Sequence, residues 1–393
     1  MSAPTTTVSH HEQAGESSIW VSLPWILAAI GLIGCVIGYT SNPKQLGYSY
    51  LTAFMFFLSI GLGSLFLVLI HHIFDAGWGV PIRRYLENVA CLLPYMGLLF
   101  IPLGFWAENL YPWMTADPHT DHALSVKSAM FNKKSFFIVS AIVFAIWGLL
   151  SHKLRYWSVR QDETGGSDCT HAMRRWAAPG IYLFAFSLTA GAIFWMKSLQ
   201  HQWFSTMYGV YYFAGSVWIT LATTYGAALI LKKTNQVPML QRLQFYHLGT
   251  LLLAFTIFYS YIHFSQYFII WNAAMPEETF WYVLREKGTW VYVCWALILG
   301  HFVVPFLTLL RIDVKLKWAV MVPVICWVWM IHYVDMQFNI MPLYHPNGIS
   351  PSLSDLSAML FIGGTLAVIF LRNFRAHSPF PLKDPRMGEA IKH

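Results

Sequence analysis

The sequence predicts an all-α polytopic membrane protein with about ten transmembrane helices. The chain has 393 residues, of which 56% are hydrophobic and only 11% are charged. Soluble domains average about 25% charged residues, so this composition is typical of a membrane protein. Aromatic residues make up 17% of the chain and include 18 Trp, as expected where rings lie at two membrane interfaces. Apolar runs of about 20 residues, long enough to cross a bilayer as a helix, recur along the chain.

The apolar segments divide the chain into a membrane domain, 20–371, between a polar N-terminal tail, 1–19, and a polar C-terminal tail, 372–393, expected to be peripheral. The N-terminal tail carries no Lys or Arg, so we expect the first helix to be retained rather than removed as a secretory signal. The second and sixth segments both begin with Tyr clusters, which favours two four-helix bundles, about 50–197 and 208–337, with helices one and ten flanking them. The ten segments are 20–38, 50–73, 88–107, 135–152, 178–197, 208–231, 247–271, 289–310, 317–337 and 355–371.

The distribution of basic residues predicts the orientation of the chain. An even number of spans places both termini on one side of the membrane. About 18 of the 25 Lys and Arg residues fall on that side, which the positive-inside tendency makes the cytoplasm. We therefore expect a basic cytoplasmic loop over 153–177, with a Gly-Gly-Ser hinge at 165–167, and an outward loop over 108–134.

The cysteine pattern argues against several kinds of cofactor. The five cysteines lie far apart, and no CxxC or CxxCH motif occurs. The sequence therefore lacks the signals for iron–sulfur ligation, structural zinc and c-type haem attachment. We predict no covalently bound cofactor, no metal ligand set and no haem in this chain. The net charge of +7 reflects basic loops, and nothing indicates a nucleic-acid partner.

An outer polar cluster is predicted from two helical stripes. His332, Asp335 and Asn339 on segment nine are three and four residues apart and share one helical face. At 1.5 Å per residue, His332 and Asp335 lie roughly 21 and 26 Å from the inner face. Asp and His accept and pass protons, which suggests a proton path or a quinol site. The alternative is a hydrogen-bonded cluster that pins helices seven and nine together. Segment seven contributes Tyr259, His263 and Gln266.

An inner polar cluster follows segment two. His71, His72, Asp75 and Glu87 lie where protons would enter from the cytoplasm, and the pair Arg83-Arg84 lies among them. The alternative interpretation is interfacial salt bridging among solvated groups. Between the two clusters, His301 lies near mid-membrane on segment eight. A lone histidine there is more often a packed core residue with its hydrogen bonds satisfied than a functional group.

Small residues interrupt the apolar run from Leu51 to Ile70. Ser59, Gly61 and Gly63 form a patch within this run, and Ser59 and Gly63 are four residues apart. Small residues at this spacing allow a neighbouring helix to approach closely. We predict a helix-packing face at this patch.

The same region carries a resemblance to a known family. The run Gly-Leu-Gly-Ser-Leu-Phe…His-His…Asp-Ala-Gly-Trp…Pro-Ile-Arg-Arg…Glu-Asn, from 61 to 88, resembles the membrane subunits of alternative complex III, of the NrfD/polysulfide-reductase-like family. Length and helix count resemble the smaller of that complex's two NrfD-like subunits. The match covers most of the chain and is most specific over 50–110. It implies a subunit of a respiratory quinol:cytochrome c, or oxidase, oxidoreductase in the bacterial inner membrane, without a complete catalytic centre of its own.

The resemblance also implies partners. These are a second NrfD-like membrane subunit, an iron–sulfur/molybdopterin-like extrinsic subunit, multihaem cytochrome c subunits and a terminal oxidase, with haem and iron–sulfur clusters only in the partners. Quinol or menaquinol is the ligand to expect. Either quinol binds beside Asp335, or this subunit only conducts protons and quinol binds in the larger sister, which the resemblance favours. A structural scaffold and an ion-coupled transporter remain as alternatives, although the two halves lack the matched Gly/Pro breaks of a transporter.

Overall fold

The computed structural model describes residues 18–391, which form helices and turns without a β-strand in that range. Short 3₁₀ turns lie at Gly77–Gly79, Pro112–Met114, Lys197–Gln200 and Met341–Leu343, and a π-helical turn spans Ile298–Val303. The α-helices are α1 Ser18–Ser41, α2 Pro43–Ile73, α3 Val80–Ala90, α4 Leu93–Leu99, α5 Ile101–Leu110, α6 His122–Lys127, α7 Lys133–Thr164, α8 Ser167–Trp195, α9 Tyr208–Lys233, α10 Arg242–Ala273, α11 Pro276–Arg285, α12 Trp290–Leu297, α13 Val304–Leu309, α14 Ile312–Lys315, α15 Trp318–Ile340, α16 Leu353–Arg375 and α17 Met387–Ile391.

The long helices make this an all-α polytopic membrane protein, as predicted. Within the described residues, nine helices are long and apolar enough to cross a membrane. A bent helix pair, Gly77–Leu99 and Ile101–Leu110, whose axes differ by 55°, passes the same test when its halves are taken together and is a tenth candidate span. Pro102 lies at the start of the second half, where its ring and missing N–H interrupt a continuous helix. Each of the ten predicted apolar segments corresponds to one of these spans.

Helix α2 is buried along most of its length and packs against α8, α9, α15 and α16. A Cβ added at Gly63 would lie 2.4 Å from the carbonyl oxygen of Ser216 on α9 and 2.2 Å from Oγ1 of Thr220. Thr220 also donates a hydrogen bond to the carbonyl of Ile60, at 3.1 Å. The small residues predicted as a packing face therefore allow a close contact between α2 and α9.

Helices α1 and α16 pack against each other, and α16 also packs on α2. The backbones of α1 and α16 come into close contact at Gly31, which has no side chain. A Cβ at this position would lie 2.2 Å from the backbone nitrogen of Phe361. The first and last spans are therefore neighbours. The division of the other eight spans into two four-helix bundles stays a prediction.

Two polar regions differ from the sequence-based expectation. The predicted loop 153–177 is helical, because α7 continues to Thr164 and α8 begins at Ser167. The polar residues 153–164 extend α7 beyond its apolar segment, because a helix that leaves the membrane can continue through polar side chains. The break comes where Gly165 adopts a left-handed φ of 68°, as glycine often does after a helix. The C-terminal tail is not peripheral either, since Asp384 and Arg386 are buried at 4% and 5% exposure.

Candidate functional site

The outer cluster is built around the carboxyl group of Asp335 on α15, which is 1% exposed. The phenol of Tyr211 on α9 donates a hydrogen bond to its Oδ1. The side-chain amide of Asn339, one turn along α15, donates to the same oxygen at 3.2 Å. The other oxygen, Oδ2, is buried without a hydrogen-bond partner in the part of the chain that the structure describes. Asp335 therefore has one anchored oxygen and one free to accept a proton or a ligand.

Tyrosines on neighbouring helices extend this contact. The hydroxyl of Tyr259 on α10 donates to the hydroxyl of Tyr211 at 3.0 Å. The hydroxyl of Tyr208 donates to Oδ1 of Asn339 at 3.0 Å. Hydrogen bonds therefore run from Tyr259 through Tyr211 to Asp335 and join α10, α9 and α15.

His332 lies on the same helix as Asp335, one turn before it. Its tautomer is set by a hydrogen bond with Ser59 on α2. The hydroxyl of Ser59 donates to the carbonyl of Phe56 at 2.6 Å, and its oxygen lies 2.9 Å from Nε2 of His332. A hydroxyl has one hydrogen, so Nε2 must donate to Ser59. The neutral ring then presents Nδ1 as an acceptor. This atom is buried and has no partner among the described residues.

His301 belongs to the outer cluster, which corrects its interpretation as an isolated, satisfied core histidine. Its ring is stacked between Trp218 and Tyr259, with centroid distances of 3.7 and 3.5 Å. Both ring nitrogens are buried without hydrogen-bond partners among residues 18–391. One ligand atom each from His301, His332 and Asp335 lies within 4.8 Å of the other two. His301 sits in the π-helical turn, a local widening of the helix that shifts side-chain directions.

Two imidazoles and one carboxylate give this cluster a defined chemistry. Imidazole and carboxylate accept and release protons when they lie within hydrogen-bond reach of a donor, directly or through one water. The same set is one that divalent transition metals accept. The three ligand atoms lie within 4.8 Å of one another, so the arrangement fits either a bridging water or a bound ion.

The other predicted outer residues have different surroundings. The His263 ring lies 5.5 Å from Tyr211 and 5.9 Å from Tyr259, measured between centroids, and it lines a cavity beside them. Gln266 accepts a hydrogen bond from Ser205 at 2.8 Å and donates to Tyr282 at 3.1 Å. Gln266 therefore ties loops and helices together, and no hydrogen bond links it to Asp335.

Sequence reasoning did not assign Tyr211 or Ser59 to this site. Tyr211 follows Tyr208 at a spacing of three in an apolar segment, so the two face the same side of a helix. This spacing was the one sequence feature that could have indicated a shared polar face for the two tyrosines. For Ser59, the sequence indicated packing, and the structure adds the contact with His332. Nothing in the sequence shows which helix face α2 turns toward α15.

The inner cluster is a buried network of charges. Glu87 lies within 2.9 Å of Nε of Arg83, 3.5 Å of Nε of Arg84 and 3.2 Å of Nη1 of Arg155. Three guanidinium groups around one buried carboxylate stabilise its negative charge. Of the four predicted groups, His71, His72 and Glu87 are buried, whereas the Asp75 side chain is 47% exposed. The ion pairing of Glu87 supports the salt-bridge interpretation over proton entry through this residue. Further ion pairs join Arg83–Asp384, Arg84–Asp162, Arg174–Asp75, Arg386–Asp75 and Arg386–Asp384.

The C-terminal tail completes this network. Nη1 of Arg386 lies 2.8 Å from Oδ1 of Asp75, and Nη2 lies 2.8 Å from Oδ2 of Asp384. The hydrogen bond from Arg174, together with Arg386, holds the pKa of Asp75 below its usual range. Burial alone would raise the pKa of Asp384, but Arg386 and Arg83 outweigh it and hold that pKa well below its usual range.

Two histidines lie near this network at the end of α2. His71 and His72 are 6% and 0% exposed, and their rings pack edge to face. Nε2 of His71 and both ring nitrogens of His72 have no hydrogen-bond partner within the described range. The structure therefore buries the two predicted inner histidines.

The fold and site define an all-α polytopic membrane protein with a buried Asp–His–Tyr cluster between its spans. No protein-family model matches the chain, and no curated protein matches it significantly.

Proposed function

We propose that this chain is a membrane subunit of a respiratory quinol-oxidising complex and that its outer cluster transfers protons. The observation that carries the proposal is the environment of the buried carboxyl group of Asp335. One of its oxygens accepts hydrogen bonds from Tyr211 and Asn339, while the other is buried without a partner among the described residues. An ionisable side chain deep in a transmembrane helix is costly, and it usually marks a proton or ion path.

The neighbouring histidines supply groups to which a proton can pass. His301 and His332 present three unpaired ring nitrogens, and one atom of each lies within 4.8 Å of an Asp335 oxygen. A structural pin would leave fewer buried polar atoms unsatisfied, since each costs about 1–3 kcal/mol. The arrangement supports a site that exchanges protons over a purely structural scaffold.

The resemblance over 61–88 to NrfD-like subunits of alternative complex III supplies the setting. On this proposal the chain is the smaller of the two NrfD-like subunits, beside the larger one and the extrinsic iron–sulfur and multihaem cytochrome c subunits. It resides in the bacterial inner membrane with both termini in the cytoplasm, in line with the excess of Lys and Arg on the side of the termini. Electron-transfer cofactors belong to the partners.

Asp335→Asn in the intact complex tests this function. Asparagine keeps the size of the side chain but cannot exchange a proton. We expect the rate of quinol turnover, and with it the rate of proton release, to fall by about tenfold, equivalent to about 1.4 kcal/mol on the barrier. The control is Asp313→Asn, which alters an exposed carboxylate paired with Arg311 and Lys317.

Two outcomes would contradict the proposal. One is an assembled Asp335→Asn complex with normal turnover and proton release, which would leave Asp335 as a pin between helices. The other is a transition metal bound stoichiometrically to the wild type and lost in Asp335→Asn, which would make His301, His332 and Asp335 a metal centre.

A further inference from the structure

Arg285, the last residue of α11, carries a buried guanidinium group without a carboxylate partner. The residue is 2% exposed. Within the described part of the chain, its hydrogen bonds all go to neutral oxygens, those of three backbone carbonyls and of the Gln200 side chain. Its guanidinium carbon lies 3.4 Å from the ring centroid of Trp281. Because an unpaired buried charge is costly, some other group must stabilise this one.

The end of α15 supplies that stabilisation. Nε of Arg285 donates to the carbonyl of Phe338 at 2.9 Å, and Nη2 donates to the carbonyl of Asn339 at 2.9 Å. Carbonyls in the last turn of a helix have no donor within the helix. The residue four positions after Phe338 is Pro342, which has no backbone N–H to donate. A cation at this end is also favoured by the helix dipole.

One of the two carbonyls belongs to a residue of the outer cluster. The side-chain amide nitrogen of Asn339 donates to Oδ1 of Asp335 at 3.2 Å and to the hydroxyl of Tyr211 at 2.9 Å. Its amide oxygen accepts a hydrogen bond from Tyr208 at 3.0 Å. Arg285 therefore holds the backbone of the residue whose side chain contacts both Asp335 and Tyr211.

This connection is indirect, since Arg285 forms neither a hydrogen bond nor an ion pair with Asp335 among the described residues. Its fork of N–H groups instead spans two successive carbonyls, a geometry that a guanidinium offers and an ammonium does not. Releasing this fork frees the last turn of α15. The amide of Asn339 would then move relative to Oδ1 of Asp335.

We propose that Arg285 is a positioning residue for the outer cluster, which holds Asn339 in place and so keeps Oδ1 of Asp335 hydrogen-bonded. The inference rests on the proposed function, in which Asp335 exchanges a proton. With Oδ1 occupied by the donors Tyr211 and Asn339, the exchanged proton is confined to Oδ2, the oxygen without a partner among the described residues.

Arg285→Gln in the intact complex tests the proposal. We expect quinol turnover to fall by about fivefold, equivalent to about 1 kcal/mol on the barrier. The carboxyl band of Asp335 in the infrared difference spectrum between quinol-reduced and oxidised states should shift to higher frequency, because its carbonyl oxygen loses a hydrogen bond. Arg285→Lys keeps the charge but cannot span both carbonyls, so the band should shift in the same direction. If Arg285→Gln does not assemble, Arg285→Lys takes its place.

A double-mutant cycle separates positioning from general stabilisation. If Arg285 acts through Asn339, its substitution adds nothing once the amide is gone. Asn339→Ala and the double variant should therefore have equal turnover, whereas independent effects would multiply to about 25-fold. The matched control is Trp290→Phe, which removes a buried donor to the carbonyl of His345, beyond the end of α15. It should lower the thermal midpoint without shifting the Asp335 band.

Three outcomes would overturn the proposal. They are an unshifted Asp335 band with normal turnover in the Arg285 variants, multiplied effects in the double variant, and the same band shift in Trp290→Phe. Each of these would leave the proton role of Asp335 standing. Normal turnover in Asp335→Asn with no Asp335 band in the wild type would instead reject the proposed function, and this inference with it.

Discussion

The phenol of Tyr211 on α9 donates a hydrogen bond to Oδ1 of Asp335 on α15 and itself accepts one from Tyr259 on α10. This contact links the wall of the cavity to a carboxyl group that sequence reasoning had placed in the outer part of the membrane. Its consequence is directional, because each hydroxyl in the chain has one hydrogen and donates it toward Asp335.

Removing the Tyr211 hydroxyl should impair proton transfer more than folding. Tyr211→Phe removes a donor to Asp335 and the acceptor for Tyr259, so we expect slower proton release and a loss of stability of about 1–3 kcal/mol. The matched control is Tyr225→Phe, which removes a buried hydroxyl on the same helix that donates to the carbonyl of Lys315 at 2.6 Å. Equal stability losses with equal proton release in the two variants would count against a proton role for Tyr211.

Gly63 should be intolerant of any side chain. The added Cβ would lie 2.4 Å from the carbonyl oxygen of Ser216. Because this oxygen belongs to the backbone of α9 and cannot rotate away as a side chain could, α2 and α9 must separate. We expect Gly63→Ala to destabilise the protein by about 1–3 kcal/mol and Gly63→Leu to prevent assembly. At Gly226 the nearest atom to an added Cβ is 3.6 Å away. Thermal unfolding in detergent should therefore show a lower midpoint for Gly63→Ala than for Gly226→Ala, and equal midpoints would refute the close contact.

The C-terminal tail should detach when its arginine anchor is removed. Arg386 pairs with Asp75 and with the buried Asp384, so Arg386→Ala leaves Asp384 with one fewer cationic partner. We expect faster hydrogen exchange and protease cleavage over 378–391. Arg372→Ala, which removes a basic residue of α16 outside this network, serves as the control. Unchanged exchange in Arg386→Ala would show that packing of α17 alone holds the tail.

The same tail should loosen in acid. The pKa values of Asp75 and Asp384 are lower in the folded protein than usual. The unfolded value for Asp is about 3.9, so their stabilising contribution is complete above that pH and is lost as pH falls toward the folded values. The protection factors of the amides over 378–391, which correct for the intrinsic pH dependence of exchange, should fall as pH drops below about 4. Protection factors that do not change below about pH 4 would contradict this stabilising role of Asp75 and Asp384.

The membrane spans were predictable because apolar length is a property of the sequence alone. The bend in the third span was not predicted, although Pro102 marks where it occurs. The helical continuation over 153–164 was missed because polar residues outside the membrane carry no hydropathy signal for helix or loop.

Side-chain contacts between distant helices were harder to predict. His332 and Asp335 share a helix, so their spacing indicated a common face. His301 was placed between the clusters by counting residues along its span, whereas in the structure it lies in a π-helical turn with one ring nitrogen within 4.8 Å of a carboxylate oxygen of Asp335. The burial of Asp384 against Arg83 joins residues 301 positions apart, a pairing that charge patterns do not specify.

The central claim is that Asp335 changes its protonation during turnover. The most direct measurement is an infrared difference spectrum of the intact complex between its quinol-reduced and oxidised states. We predict a carboxyl signal that disappears in Asp335→Asn and persists in Asp313→Asn. A carboxyl signal that is the same in the wild type and in Asp335→Asn would contradict the account.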